Sequence, residues 1–260
     1  MNNHEIDYKI HGEEMQCVEI ELDPQESVIA EPGSFMMMPD GIAMETLFGD
    51  GTEKSIMGKI FSAGKRMLTG ENLFMTVFTN TSHGKKHVTF AAPYSGKIIP
   101  LDLSKLGGKV ICQKDSFLCA AKGVSVGIEL QKKLGTGLFG GEGFIMQKLE
   151  GDGLTFVHSG GHVIEKQLQP GEVLKIDTGC IVSFTKDVQY DIQFVGGIKN
   201  SIFGGEGLFF AQLRGPGTVW VQTLPISRLA GRILQYATTK RGEQGSILGG
   251  LGNLLDGDGR

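Results

Sequence analysis

A chain of 260 residues, 40% of them hydrophobic, is long enough for one large or two ordinary domains and can bury a core. Its 25 basic and 29 acidic residues leave a net charge of −4, which excludes the overall positive field needed to coat a phosphate backbone. The 40 glycines are about twice the average share, but with only eight prolines and dispersed apolar residues they fit many turns between short strands, not a disordered or collagen-like chain.

Met1 to His11 carries His4, Glu5, Asp7 and Lys9 and no apolar run, so it reads as neither a secretory signal nor an Arg-rich transit peptide. No apolar run reaches the roughly eighteen residues that a spanning helix needs. Cys17, Cys112, Cys119 and Cys180 stand far apart with no C-x-x-C pair. That spacing fits reduced thiols packed as small hydrophobes in a cytoplasmic protein better than a zinc or redox site.

Three copies of one β unit follow along the chain. The first is expected over 1–106, the second over 107–170 and the third over 171–225. Ser34-Phe35-Met36 matches Ser116-Phe117-Leu118 at an offset of 82, whereas Gly70-Glu71 matches Gly141-Glu142 at an offset of 71. The first copy therefore carries 82 − 71 = 11 extra residues, placed near 48–66 as a surface loop. Leu138-Phe139-Gly140-Gly141-Glu142-Gly143 recurs as Ile202-Phe203-Gly204-Gly205-Glu206-Gly207, and the same offset of 64 carries Phe156 onto Trp220.

Within the second copy Val124, Val126, Ile128 and Leu130 alternate with polar residues or glycine, as do Val188, Tyr190, Ile192 and Phe194 in the third. A period of two marks strands with one buried face. Gly151-Asp152-Gly153 and Gly215-Pro216-Gly217 mark turns, so each copy reads as a small Greek-key or jelly-roll-like sandwich. Gly140, Gly141, Glu142, Gly143, Gly204, Gly205, Glu206, Gly207 and Trp220 are its structural motif residues.

After Pro225, Ile226, Leu229, Ala230, Ile233, Leu234 and Ala237 fall at helical spacing, predicting an amphipathic helix over 226–241. The 242–260 tail is glycine-broken and reads as flexible, with Ile247, Leu248, Leu251, Leu254 and Leu255 as its candidate contact residues.

The paired Phe139-to-Phe144 and Phe203-to-Leu208 motifs, with Gly215 to Pro225 and Ser227-Arg228-Leu229-Ala230, resemble the bacterial branch of the altered-inheritance-of-mitochondria family. The resemblance runs from about Ile6 to Lys240. It implies an all-β fold of three tandem short double-stranded β-helix domains, each shaped like the subunit of the tryptophan RNA-binding attenuation protein. It further implies a homotrimer whose nine domains close a ring, and it carries over no catalytic residues. Mitochondrial members are linked to inner-membrane organisation, a role not transferred to a chain that reads as lacking a presequence.

Site chemistry adds little. The glycine-rich motifs open strands instead of helices, unlike phosphate-binding loops. His158-Ser159-Gly160-Gly161-His162 is the best metal candidate, on the expectation that a tight turn brings both imidazoles together; two ligands are too few, and His83 and His87 complete no recognised set. No G-x-S-x-G elbow occurs, and Ser159 has no orienting acid in sequence. Lys85-Lys86, Lys132-Lys133 and Lys240-Arg241 do not recur at the repeat spacing, so no periodic nucleic-acid track is expected. Met36, Met37, Met38 and Met44 read as core or interface filling.

The expectation is a cytoplasmic, non-enzymatic oligomeric β-scaffold without cofactor or metal. Its partners would be copies of itself and a protein or membrane surface. An RNA- or small-ligand-binding module is the alternative.

Overall fold

The computed structural model describes residues 5–48, 74–132, 144–195 and 208–241. These residues are mostly β, as expected, with one α-helix. The strands are β1 (Asp7–His11), β2 (Cys17–Leu22), β3 (Ser27–Ala30), β4 (Phe35–Met37), β5 (Ile42–Phe48), β6 (Phe74–Asn80) and β7 (Lys86–Ala91). Then come β8 (Gly96–Asp102), β9 (Lys109–Gln113), β10 (Phe117–Ala121), β11 (Ser125–Lys132), β12 (Phe144–Glu150) and β13 (Leu154–Gly160). The last are β14 (Val163–Leu168), β15 (Val173–Asp177), β16 (Ile181–Thr185), β17 (Gln189–Val195), β18 (Leu208–Arg214) and β19 (Gly217–Gln222), before helix α1 (Ile226–Arg241).

They form four antiparallel sheets. The first has the order β1-β2-β7-β4, the second β5-β6-β3-β10-β13-β8, the third β11-β12-β9-β16-β19-β14 and the fourth β15-β18-β17. Three apolar cores bind these sheets. One gathers Val18, Ile20, Val88 and Phe90 of the first sheet with Val28, Ala30, Leu118 and Phe156 of the second. Another joins Ile29, Val77 and Val157 of the second with Cys112, Val182 and Trp220 of the third. The last joins Ile111, Phe144 and Phe184 of the third with Ala211 and Leu213 of the fourth.

Strand alternation explains how one sheet serves two cores: Ile29 points one way, Val28 and Ala30 the other. A sheet covered on both faces needs near-continuous apolar strands. All five residues of β10 and all five of β16 are buried accordingly.

Trp220 is 5% exposed, and its Nε1 donates to Glu165 Oε2 at 2.9 Å across the β14–β19 pair. Phe156 is buried in the neighbouring core. The other motif residues, Gly140 to Gly143 and Gly204 to Gly207, lie outside the described residues, as do the extra residues near 48–66 and the tail contacts Ile247, Leu248, Leu251, Leu254 and Leu255.

The expected hairpin at His158–His162 is corrected by the topology. β13 ends at Gly160 in the second sheet and β14 begins at Val163 in the third, so this segment crosses between sheets instead of folding back. Its glycine is there for space: a Cβ at Gly160 would stand 1.9 Å from the Leu224 carbonyl oxygen.

Candidate functional site: two open sheet edges

Two strands that join sheet halves show what a covered edge looks like. β3 pairs with β10 through Ala30↔Cys119, Ile29↔Ala120 and Val28↔Ala121. β9 pairs with β16 through Cys112↔Ser183, Ile111↔Phe184 and Val110↔Thr185. β3 is wholly buried, and β9 is buried except for Lys109.

β4 and β15 are different. β4 ends the first sheet with β7 on one side, and Phe35 (41% exposed), Met36 (53%) and Met37 (53%) all reach solvent. β15 ends the fourth sheet beside β18, and none of its five residues is fully buried. Unpaired backbone along an apolar edge is a template for another strand.

β1 and β14 also end their sheets and are largely exposed, while β8 is an edge with a neighbour. β1 flanks β2, and the 12–16 segment meets β8, where Gly96 N donates to Glu14 O at 2.7 Å and Ile98 N to Gln16 Oε1 at 2.7 Å. Helix α1 begins against the end of β15: Arg228 Nη2 lies 2.8 Å from Asp177 Oδ2, and Asp177 Oδ1 accepts from Gly179 N at 2.8 Å.

Half-buried titratable groups lie where the second sheet crosses from β3 to β10. Burial, aided by the Asp115 charge and opposed by Lys114, pushes the Glu31 carboxyl up to about 8. Its backbone is tied on both sides, with Glu31 N donating to Leu118 O at 3.1 Å and Ser34 Oγ to Glu31 O at 2.8 Å. Burial pushes the Tyr94 hydroxyl up to about 12, with Asp115 and Glu31 adding to it.

His158 is 1% exposed, with Nε2 3.1 Å from Tyr94 O and its ring edge-on to Tyr94 at 4.4 Å. Burial holds its imidazole down to about 4, keeping it neutral. His162 is exposed, and His87 Nε2 sits 3.2 Å from Glu21 Oε2. Among the described residues no group of three or more His, Cys, Asp or Glu side chains could hold a metal ion. The four cysteines are free, and burial raises the Cys112, Cys119 and Cys180 thiols, the reverse of an activated nucleophile.

Met36, Met37 and Met44, read from the sequence as core or interface filling, are exposed in this chain instead of buried in its core, and sequence reasoning does not single out Glu31. Its one signal is a carboxylate directly after the apolar run Val28-Ile29-Ala30.

These features define an all-β protein of stacked antiparallel sheets whose exposed edge strands, among the described residues, include β4 and β15. The chain belongs to the mitochondrial biogenesis AIM24 family, whose pattern matches residues 8–224. It is 31% identical over 226 residues to an uncharacterised protein of Streptococcus pyogenes serotype M6, covering 85% of this chain and 87% of that one. A crystal structure of a Streptococcus pyogenes protein, SPYM3_0169, shares the fold with a TM-score of 0.69 at 24% identity, over 89% of this chain and 99% of that one. Among the described residues no helix is long and apolar enough to cross a membrane.

Proposed function

We propose that the chain is three copies of one six-stranded unit and that it closes a non-enzymatic, ring-shaped homotrimeric β-scaffold with two further copies of itself. The units are β2 to β7, β8 to β13 and β14 to β19. Raising each strand number by six turns the order β2-β7-β4 into β8-β13-β10 and β14-β19-β16, and β5-β6-β3 into β11-β12-β9 and β17-β18-β15. The ladder irregularity between Phe35 and Met37 recurs between Phe117 and Cys119 and between Ile181 and Ser183. Cys119 faces Phe156 and Ser183 faces Trp220, a shift of 64 on both strands (119 + 64 = 183; 156 + 64 = 220). On this reading β8 and β14 open their units, so the boundaries fall near 96 and 163, earlier than 107 and 171.

Neighbouring units then join twice by one rule, β3 to β10 and β9 to β16. The rule leaves β15 without its partner and β4 without its own. Applied a third time, it pairs β15 with β4 of another copy, and Ile176 falls opposite Met37 (112 + 64 = 176; 119 − 82 = 37).

The observation that carries the reading is the contrast in burial. β10 and β16 are fully buried where β4, at the same place in its unit, is exposed along its whole length. A head-to-tail contact that repeats an internal one closes a ring, and the family resemblance supplies the number three. Such a ring offers faces for a protein or membrane surface, and its free cysteines suit a reducing cytoplasm.

Sedimentation equilibrium at micromolar concentration tests this. The wild-type chain should run as a trimer and Met37→Lys as a folded monomer. A monomeric wild type would refute the assembly.

A further inference from the structure

We infer that helix α1 is a clasp that seats the Gly12–Met15 turn of a second copy of this chain in the ring. This rests on the head-to-tail reading above and adds a contact that strand pairing does not require. The segments that lead from one unit to the next hydrogen-bond in series. Gly96 N donates to Glu14 O at 2.7 Å, Gly161 N to Ser95 O at 3.0 Å and Leu224 N to Gly160 O at 3.1 Å. Each connecting segment thus lies against the one before it. The approach is close enough to need glycine: a Cβ at Gly96 would stand 1.7 Å from Ser159 O, as one at Gly160 would from Leu224 O at 1.9 Å.

The series has two ends. It starts at the 12–16 segment and finishes at Leu224, two residues before α1. A second copy that continues the series lays its 12–15 turn against Leu224 and the first turns of α1. The two surfaces are complementary. The turn exposes Glu13, Glu14 and Met15, the last at 72%. The helix exposes Arg232, Ile233 (59%) and Tyr236 (79%). Two carboxylates beside a methionine therefore meet a guanidinium beside an aliphatic and an aromatic side chain, a pairing that favours association and fixes register. The helix is held in place for this by Arg228 on Asp177, at the end of the open strand β15, so the clasp is continuous with the proposed strand interface.

A charge-swap cycle on the full chain tests the clasp, with trimer dissociation read by sedimentation and folding by far-UV circular dichroism. Arg232→Glu and Glu14→Arg should each weaken the trimer roughly tenfold, and the double variant should recover most of that loss. If Arg232→Glu leaves the trimer unchanged while Met37→Lys breaks it, the clasp is wrong and the ring stands. Weakening by Arg232→Glu without recovery in the double variant overturns the 12–15 turn as the occupant. A wild-type monomer overturns ring and clasp together. Flotation with phosphatidylserine-containing vesicles covers the other occupant: binding lost in Arg232→Glu with an unchanged trimer would assign the helix to lipid and overturn the clasp.

Discussion

Glu31→Gln should remove a pH dependence that the fold creates at the β3–β10 joint. The Glu31 carboxyl rises from an ordinary value of 4.5 to about 8 on folding, chiefly through burial and then through Asp115. A group whose folded value is raised stabilises fully below its unfolded value, and that stability is lost as pH climbs through the folded value. Over the whole interval the loss is on the order of 5 kcal/mol, from about 3.5 pH units at 1.36 kcal/mol each. His158 works in the opposite sense. Its folded value is depressed from 6.5 to about 4, so its contribution is present above 6.5 and lost as pH falls through 4. Between pH 4.5 and 6.5 the two slopes oppose each other, which leaves 6.5 to 8 as the window where Glu31 acts alone of the pair. There the wild type should lose about 2 kcal/mol that Glu31→Gln keeps. Urea unfolding at half-unit pH steps from 6.5 to 8.5 measures this, and the variant's curve should be flatter. Parallel curves for the two proteins would show that Glu31 ionises normally in the fold and would refute the reasoning.

Three further outcomes are expected. His158→Gln, which installs the residue that occupies the matching position at Gln222, should remove the part of the acid destabilisation below pH 6.5 that comes from the neutral buried imidazole, checked by urea unfolding at pH 4.5 and 6.5. Trp220→Ala should cost roughly 3–5 kcal/mol in urea unfolding, because a nearly buried indole leaves a cavity and its Glu165 partner. Gly160→Ala should lower the melting temperature by several degrees, since its Cβ meets Leu224 O at 1.9 Å, whereas Gly84→Ala, with nothing within 4 Å, should change little.

Local pattern made much of the fold legible. Alternation in Val124-to-Leu130 and Val188-to-Phe194 falls on β11 and β17 and on the residue just before each, and the helical spacing after Pro225 falls on α1. Both signals are local, so a single sequence carries them. Which strands share a sheet is not local. β8 pairs with β13 and β14 with β19, contacts between strands far apart in the chain that no local pattern displays. The His158–His162 segment misled for the same reason: two glycines that look like a turn serve the close passage of Leu224 from far along the chain. The open edges were half legible. Met36 and Met37 read as core or interface filling, but both are exposed because β4 ends its sheet, a position set by distant pairing with β7. Glu31 was not singled out and His158 only as a metal candidate, because burial, not residue type, sets their protonation.

The most direct test of the central claim is oxidative trapping of Met37→Cys with Ile176→Cys in one chain. Residues directly opposite in an antiparallel pair have Cα atoms about 4.5–5.5 Å apart, within disulfide range. If β15 of one copy pairs with β4 of the next in the register of the two internal joints, the double variant should oxidise to a covalent trimer closed by three equivalent bonds, while each single variant stays uncrosslinked. A double variant that remains a single chain under the same oxidation, with its thiols accessible, would contradict the head-to-tail ring.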